Sequence, residues 1–236
     1  MSFEAFCGAV LWSAATIGLY ALARAIYRRW PRWWTGPLAV TPALLLLMMA
    51  ALHETYHAYI TSTQWLIALL GPATVSFAVP IYEQRAMIRA NWPLLLIGVV
   101  AGTVSSMVSA WVLATLLGLD QTLRLSLLPR SISTPFAMTV AGDVGGVPVL
   151  TAVFVVLTGL LGAGIGEALL GVLPLRSALA RGTLFGAGAH GIGVTKAHEV
   201  GRSEGSVAGL MLVLIGVSNV LLAPLLAHLL ALVKGD

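Results

Sequence analysis

Apolar and polar stretches alternate along the chain to give eight hydrophobic segments, at about residues 5–27, 37–58, 64–82, 92–119, 124–146, 148–173, 178–200 and 205–233. Each approaches the roughly 20 residues a helix needs to cross a bilayer. Six read as plain spans, with Gly71-Pro72 and Pro80 marking a kink in the third. The fifth and seventh differ. "LLPRSISTPFAMTVAGDVGG" (127–146) carries Arg130, Asp143, two prolines, three glycines and four hydroxyl residues. "GTLFGAGAHGIGVTKAHEVG" (182–201) carries His190, Lys196, His198, Glu199 and six glycines. Proline removes a backbone donor and glycine weakens helix interiors, so neither suits a smooth helix facing lipid. Each precedes a long apolar span, which makes a weak internal repeat of "broken segment, then span". The pattern predicts an all-α polytopic membrane protein with about eight hydrophobic segments, 124–146 and 178–200 being broken or re-entrant.

Composition agrees. The chain is 58% hydrophobic and 9% charged, against roughly 25% charged in a soluble domain, and its mean hydropathy is +0.94. No basic residue precedes the first segment, while Arg24, Arg28, Arg29 and Arg32 cluster around its end, so a retained span is expected rather than a cleaved signal. A single cysteine, Cys7, excludes an intramolecular disulfide and a cysteine-rich metal site. The net charge of +4 sits between apolar spans, which is loop bias and not a nucleic-acid surface.

The positive-inside rule puts Arg24–Arg32, Arg85 and Arg89 in the cytoplasm and the N-terminus outside. Two topologies then remain for the later half. If the broken segments cross the membrane, Arg176 and Arg181 lie outside. If they are re-entrant hairpins, both arginines lie inside and the hairpins dip in from opposite faces, which the rule favours by two charges.

Three motifs carry candidate chemistry. "HETYH" (53–57) has the HExxH spacing of a helical zinc site. It lacks a convincing third ligand, however, and falls at the predicted polar end of the second span, so no metal, cofactor or enzyme activity is expected. In "PRSISTP" (129–135), two prolines bracket Ser131, Ser133 and Thr134 beside Arg130. Hydroxyls, free amides and a resuming helix N-terminus there suit a small carboxylate. In "GAGAHGIGV" (186–194), glycines including Gly191 and Gly193 let backbones approach or be exposed. With His190, which could donate to the carboxylate or carry a coupling proton because a histidine's charge ordinarily changes near neutral pH, they are candidates for the substrate site. Asp143 and Glu199 follow the two breaks at comparable places and join His190 as candidates for proton or ion coupling, solvated loop charges being the alternative.

These strings resemble the LrgB/CidB family of bacterial membrane proteins, which is related to the plastid glycolate/glycerate translocator. The resemblance rests on "LLGPATVSFAVPIYEQ" (69–84), "SLLPRSISTPFAM" (126–138), "GDVGGVPVLTAVFVVLTGLLGA" (142–163), "ARGTLFGAGAHGIG" (180–193) and the spacing of Glu199, Gly201, Glu204 and Gly205. Residues 1–60 then form leading spans outside these motifs, and 61–236 an LrgB-like transport domain. The family's Pro-Lys-Ser falls on Pro129-Arg130-Ser131, its serine/histidine element on Ala189-His190, and its Gly-Thr-Ala-Arg run on Gly193-Val194-Thr195-Lys196. The resemblance implies a secondary transporter of small monocarboxylates in the bacterial inner membrane, with Thr195 added to the substrate site. It also implies a small LrgA/CidA-type membrane partner, and a homo-oligomer is a further expectation. The alternative function it carries is holin- or antiholin-like control of murein hydrolase export and cell lysis.

Overall fold

The computed structural model describes residues 3–76 and 78–234 and is helical, with no strand among the described residues. Along the chain run α1 (Phe3–Arg29), a 3-10 turn (Trp33–Thr35), α2 (Pro37–Ala51), α3 (Tyr56–Ala68), α4 (Leu70–Ser76), α5 (Ala78–Glu83) and α6 (Arg85–Leu116). They are followed by α7 (Gln121–Leu127), α8 (Thr134–Asp143), α9 (Pro148–Val172), α10 (Ala178–Val200) and α11 (Arg202–Lys234). Four stretches among the described residues are long and apolar enough to cross a membrane: Cys7–Arg29, Arg85–Leu116, Pro148–Val172 and Arg202–Leu229. The protein is a multi-pass, all-helical membrane protein. The second and third hydrophobic segments are instead cut into the shorter helices α2 to α5, with Gly71-Pro72 in the first turn of α4 and Pro80 within α5.

HETYH does not form one helical face. The helix drawn through it from the hydropathy pattern stops at Ala51, and Thr55 caps the next by accepting a hydrogen bond from the Ala58 amide at 3.3 Å. His53 lies in the turn between them at φ 54. The i, i+4 geometry that would aim both imidazoles at one metal therefore has no helix to support it.

Cα packing divides the chain into two units, residues 1–73 and 74–236. In the first, α1 packs on α2 and α3. Trp12 meets Tyr59 edge to face at 5.4 Å, Thr16 Oγ1 lies 3.2 Å from the Tyr59 hydroxyl, and Trp65 Nε1 donates to Ser13 Oγ at 2.9 Å. Among apolar helices, ring geometry and hydrogen bonds supply a specificity that hydrophobicity cannot.

In the second unit the chain doubles back twice. Ser126, on α7, lies twenty residues before Gly146, a distance of about 30 Å in a continuous helix. Instead the Val147 amide donates to Ser126 Oγ at 2.9 Å and the Thr151 hydroxyl donates to the Ser126 carbonyl at 2.9 Å. α7 and α8 are thus the arms of a hairpin whose bend is Leu128–Ser133. The second reversal lies inside α10, at His190. Gly193 packs against the Phe185 backbone. At the open end of the hairpin, Arg181 Nη2 pairs with Glu204 at 2.9 Å while His198 packs on Gly205, the neighbouring residue of α11.

α9 carries both hairpins. Thr151 holds the α7 arm, and further along the helix Gly159 faces the His190 ring, Gly162 the Gly188 carbonyl and Gly166 the Phe185 ring. The hairpins therefore enter from opposite ends of α9, and their bends meet near its middle. Each is followed by a membrane-length helix, α9 or α11.

The α10 reversal is open to direct measurement. In a Cys7→Ser background, Arg181→Cys and His198→Cys should be joined efficiently by a short bifunctional maleimide. In an unbroken helix, seventeen residues would hold them about 25 Å apart and no link would form.

Candidate functional site

The first bend has a proline at each side. Pro129 offers no amide to the Leu125 carbonyl, ending α7, and Pro135 sits in the first turn of α8, where a missing donor costs nothing. Between them Arg130 N donates to the Leu127 carbonyl at 3.2 Å and Ile132 N to the Pro129 carbonyl at 3.3 Å. Ser133 is the N-cap residue of α8, but its side chain makes no capping bond. Arg130 is half-buried, and its Nη2 donates to Ser109 Oγ on α6 at 3.3 Å. No carboxylate pairs with it among the described residues.

The second bend is made by one residue in a strained state. His190 adopts φ 38, ψ −122, near the first central position of a type II′ turn, which glycine ordinarily fills. For a residue with a Cβ this costs on the order of 1–3 kcal/mol, held in place by its surroundings. Those surroundings are specific: His190 is 4% exposed, and its ring fills the space left by the absent side chain of Gly159 and hydrogen-bonds the backbone of Val155. Its Nε2 has no partner among the described residues.

A cavity of about 360 Å³ opens where the two bends approach α9. Arg130 and Ser131 come from the first hairpin, Leu184 and Gly188 from the second, and Thr158, Leu161, Gly162, Ile165, Gly166 and Leu169 from α9. Arg130 is the one charged residue in this lining, so the cavity offers a cation, two hydroxyls and a long apolar wall to an anion.

Not every candidate joins it. Ser133, Thr134, Gly191, Gly193, Thr195 and His190 are absent from the lining. Gly193 serves the close approach of the α10 arms, and Thr195 bonds back to the Gly191 carbonyl at 3.4 Å. Asp143 is exposed at the far end of α8, away from the bend. Glu199 pairs with buried Lys196 at 2.9 Å, and the same ammonium lies 3.7 Å from Glu167 on α9. Thr158 and the α9 glycines were not among the candidate site residues, although Thr158, Gly159 and Gly162 fall within the 142–163 string. Their signal was the Gly159, Gly162, Gly166 spacing, which puts three residues without side chains on one helical face.

The model for the LrgB-like family matches residues 16–229. The chain belongs to the LrgB-like family. Among its relatives, the Bacillus subtilis (strain 168) proteins called uncharacterized protein YwbG and uncharacterized protein YxaC are 36% and 34% identical. The first alignment covers 89% of this chain and 94% of the relative, the second 94% and 97%. The antiholin-like protein LrgB of Bacillus mycoides (strain KBAB4) is 28% identical over 80% of this chain and 82% of its own length. No solved structure matches the chain. The LrgB-like match reaches back to residue 16, well before the first of the motifs at residue 69, and so includes most of the first unit.

Strain at His190 reverses an ordinary ranking. In a regular helix glycine is about 1 kcal/mol less stable than alanine. At this position His190→Gly should be more stable than His190→Ala by about 1 kcal/mol or more, since both lose the ring and only glycine accepts the turn. Thermal unfolding of the two purified variants measures it; alanine proving the more stable would mean that residue 190 is not held at positive φ.

Proposed function

We propose that this LrgB-like protein is a secondary transporter of small monocarboxylates, of the pyruvate, glycolate or glycerate class, in the bacterial inner membrane. The substrate is held between two re-entrant hairpins near the bilayer midplane, and the N-terminus lies outside. The observation that carries the reading is the cavity at the middle of α9, with Arg130, Ser131 and Thr158 around it and no acidic residue in its lining. An ionisable side chain at membrane depth is costly and marks a substrate path. Among the described residues the Arg130 guanidinium donates only to the Ser109 hydroxyl, which leaves most of its donors for a carboxylate. α8 adds the positive end of its dipole at the same bend. Both hairpins being re-entrant also places nine of the eleven arginines (24, 28, 29, 32, 85, 89, 176, 181 and 202) on the cytoplasmic side.

In this scheme His190 carries the coupling proton on its unpartnered Nε2, just behind the cavity wall. Asp143 and Glu199, at the open ends of the two hairpins, are exit or entry points for that proton. A small LrgA/CidA-type membrane protein is the expected partner, and the assembly is a homo-oligomer.

The relatives' names favour a second reading. Antiholin-like protein LrgB of Bacillus mycoides covers 80% of this chain, and an antiholin-like role would make the protein a regulator of murein hydrolase export and lysis. That role needs no substrate cradle. Uptake into proteoliposomes therefore separates the two, because a pure lysis regulator moves no carboxylate.

For the transporter, a hydroxyl bonded to a charged group contributes on the order of 1.5–3 kcal/mol, so Ser131→Ala should weaken carboxylate binding roughly ten- to a hundredfold. Arg130→Lys should keep much of the uptake and Arg130→Ala should abolish it. His190→Gln should still bind substrate but lose its response to an imposed pH gradient. Wild-type uptake by all four variants would remove the site from this cavity, and absence of uptake by the wild type across pH and sodium gradients would favour the regulator.

A further inference from the structure

We propose that a void between α6, α11 and the first bend takes one dehydrated Na⁺ ion, and that this ion and a carboxylate at Arg130 strengthen each other's binding. The coupling rests on the carboxylate reading of the α9 cavity; the ion site itself does not.

The void measures about 10 Å³, and four side chains bring oxygen to it: Thr103 and Ser106 from α6, Asn219 from α11 and Ser131 from the bend. Thr103 and Ser106 are three residues apart and share a face of α6. Asn219 is 3% exposed, and its Nδ2 donates to Thr103 Oγ1 at 3.0 Å and to the Ile215 carbonyl at 2.7 Å. A carbonyl only accepts, which fixes the nitrogen of the amide and leaves Oδ1 to the void. Ser106 Oγ is buried with no hydrogen-bond partner among the described residues. A buried hydroxyl left unbonded is costly, and a ligand in the void would recover that cost. Leu128 and Pro129, at the C-terminal end of α7, lie against the same void, where the helix dipole is negative. Hydroxyls, an amide oxygen and the carbonyl end of a broken helix form a donor set suited to Na⁺ at membrane depth.

Size and charge select the ion. A single water needs roughly 10–15 Å³, so a void at the lower bound suits an ion smaller than water. K⁺ is about as large as water. Mg²⁺ is small but gives up its own waters reluctantly, and Ca²⁺ takes carboxylates, which this lining lacks. Na⁺ meets both conditions.

Ser131 lines both the void and the α9 cavity. A hydroxyl has one donor and two acceptor lone pairs, so it can donate to a carboxylate on one side while its oxygen faces a cation on the other. Arg130, the preceding residue, repels a cation in the void until a carboxylate neutralises it. Each ligand therefore favours the other, and linkage makes the effect reciprocal. His190 does not line this void, so the ion is additional to the proton assigned there.

The test is equilibrium dialysis of radiolabelled Na⁺ against the full-length protein in nanodiscs, in N-methylglucamine buffer with empty nanodiscs subtracted. A single saturable ion per chain is expected, displaced poorly by an equal concentration of K⁺. Saturating glycolate should tighten Na⁺ binding on the order of tenfold, and saturating Na⁺ should tighten glycolate binding by the same factor. Ser106→Ala removes an oxygen that has no other partner among the described residues. It should weaken Na⁺ binding roughly tenfold or more without lowering thermal stability in Na⁺-free buffer. Absence of saturable Na⁺ binding, as for a void that holds only water, overturns the site, and so does Na⁺ binding that Ser106→Ala leaves intact. Equal displacement by K⁺ overturns the assignment to Na⁺. Glycolate that binds equally with and without Na⁺ overturns the coupling. Glycolate that binds under neither condition removes the carboxylate reading and the coupling with it, while Na⁺ binding lost in Ser106→Ala still upholds the ion site.

Discussion

The second unit depends on how closely backbones approach along one face of α9. Among lipid chains an apolar side chain gains little by leaving lipid for protein, so helices associate through close packing and through polar groups they satisfy for one another. Gly159, Gly162 and Gly166 give α9 a face on which the His190 ring, the Gly188 carbonyl and the Phe185 ring come into contact. Any side chain there would force the α10 hairpin outward. On the other hairpin, Ser126 performs the matching task with polar atoms, accepting from the Val147 amide and the Thr151 hydroxyl. Glycine contact from one end and hydrogen bonds from the other bring two irregular backbones to the middle of one helix.

In the proposed re-entrant arrangement, exposed backbone, hydroxyls and a guanidinium lie where lipid alone would leave them unsatisfied. Irregular backbone at membrane depth is tolerated where protein surrounds it or where it borders a cavity. Both conditions are met: Ile132 and Phe136 are buried in the core beside the first bend, and Arg130 and Ser131 open onto the cavity. Ion pairs are kept out of the cavity. Arg181–Glu204 and Lys196 with Glu199 and Glu167 lie along the α10 arms and their neighbours, leaving Arg130 as the lining's unneutralised charge.

Much of this was legible in the residues, and the misses have physical causes. PRSISTP announced its bend because proline acts locally: it removes an amide donor whatever the surroundings. His190 was conspicuous by its glycine neighbours, and the chain does turn there. Neither motif indicates what it will face. Whether Ser133 and Thr134 point into a cavity is decided by helix rotation, and they do not line the one found. Thr158 lies in a run that reads as ordinary span, since one threonine in lipid-facing helix normally bonds to its own preceding turn. HETYH misled on the extent of a helix: hydropathy carried the second span through residue 58, whereas the helix ends at Ala51.

Two hairpins entering α9 from opposite ends is the claim on which the functional reading rests, and side-specific labelling tests it most directly. Single cysteines at Gln121, Asp143, Ser177 and Arg202, all exposed, would be introduced into a Cys7→Ser protein and probed with a membrane-impermeant maleimide on intact cells and on inverted vesicles. The account predicts that positions 121 and 143 label from one side, and that 177 and 202 label together from the other. Labelling of 121 and 143 from opposite sides would mean that the first broken segment crosses the membrane, and would contradict it.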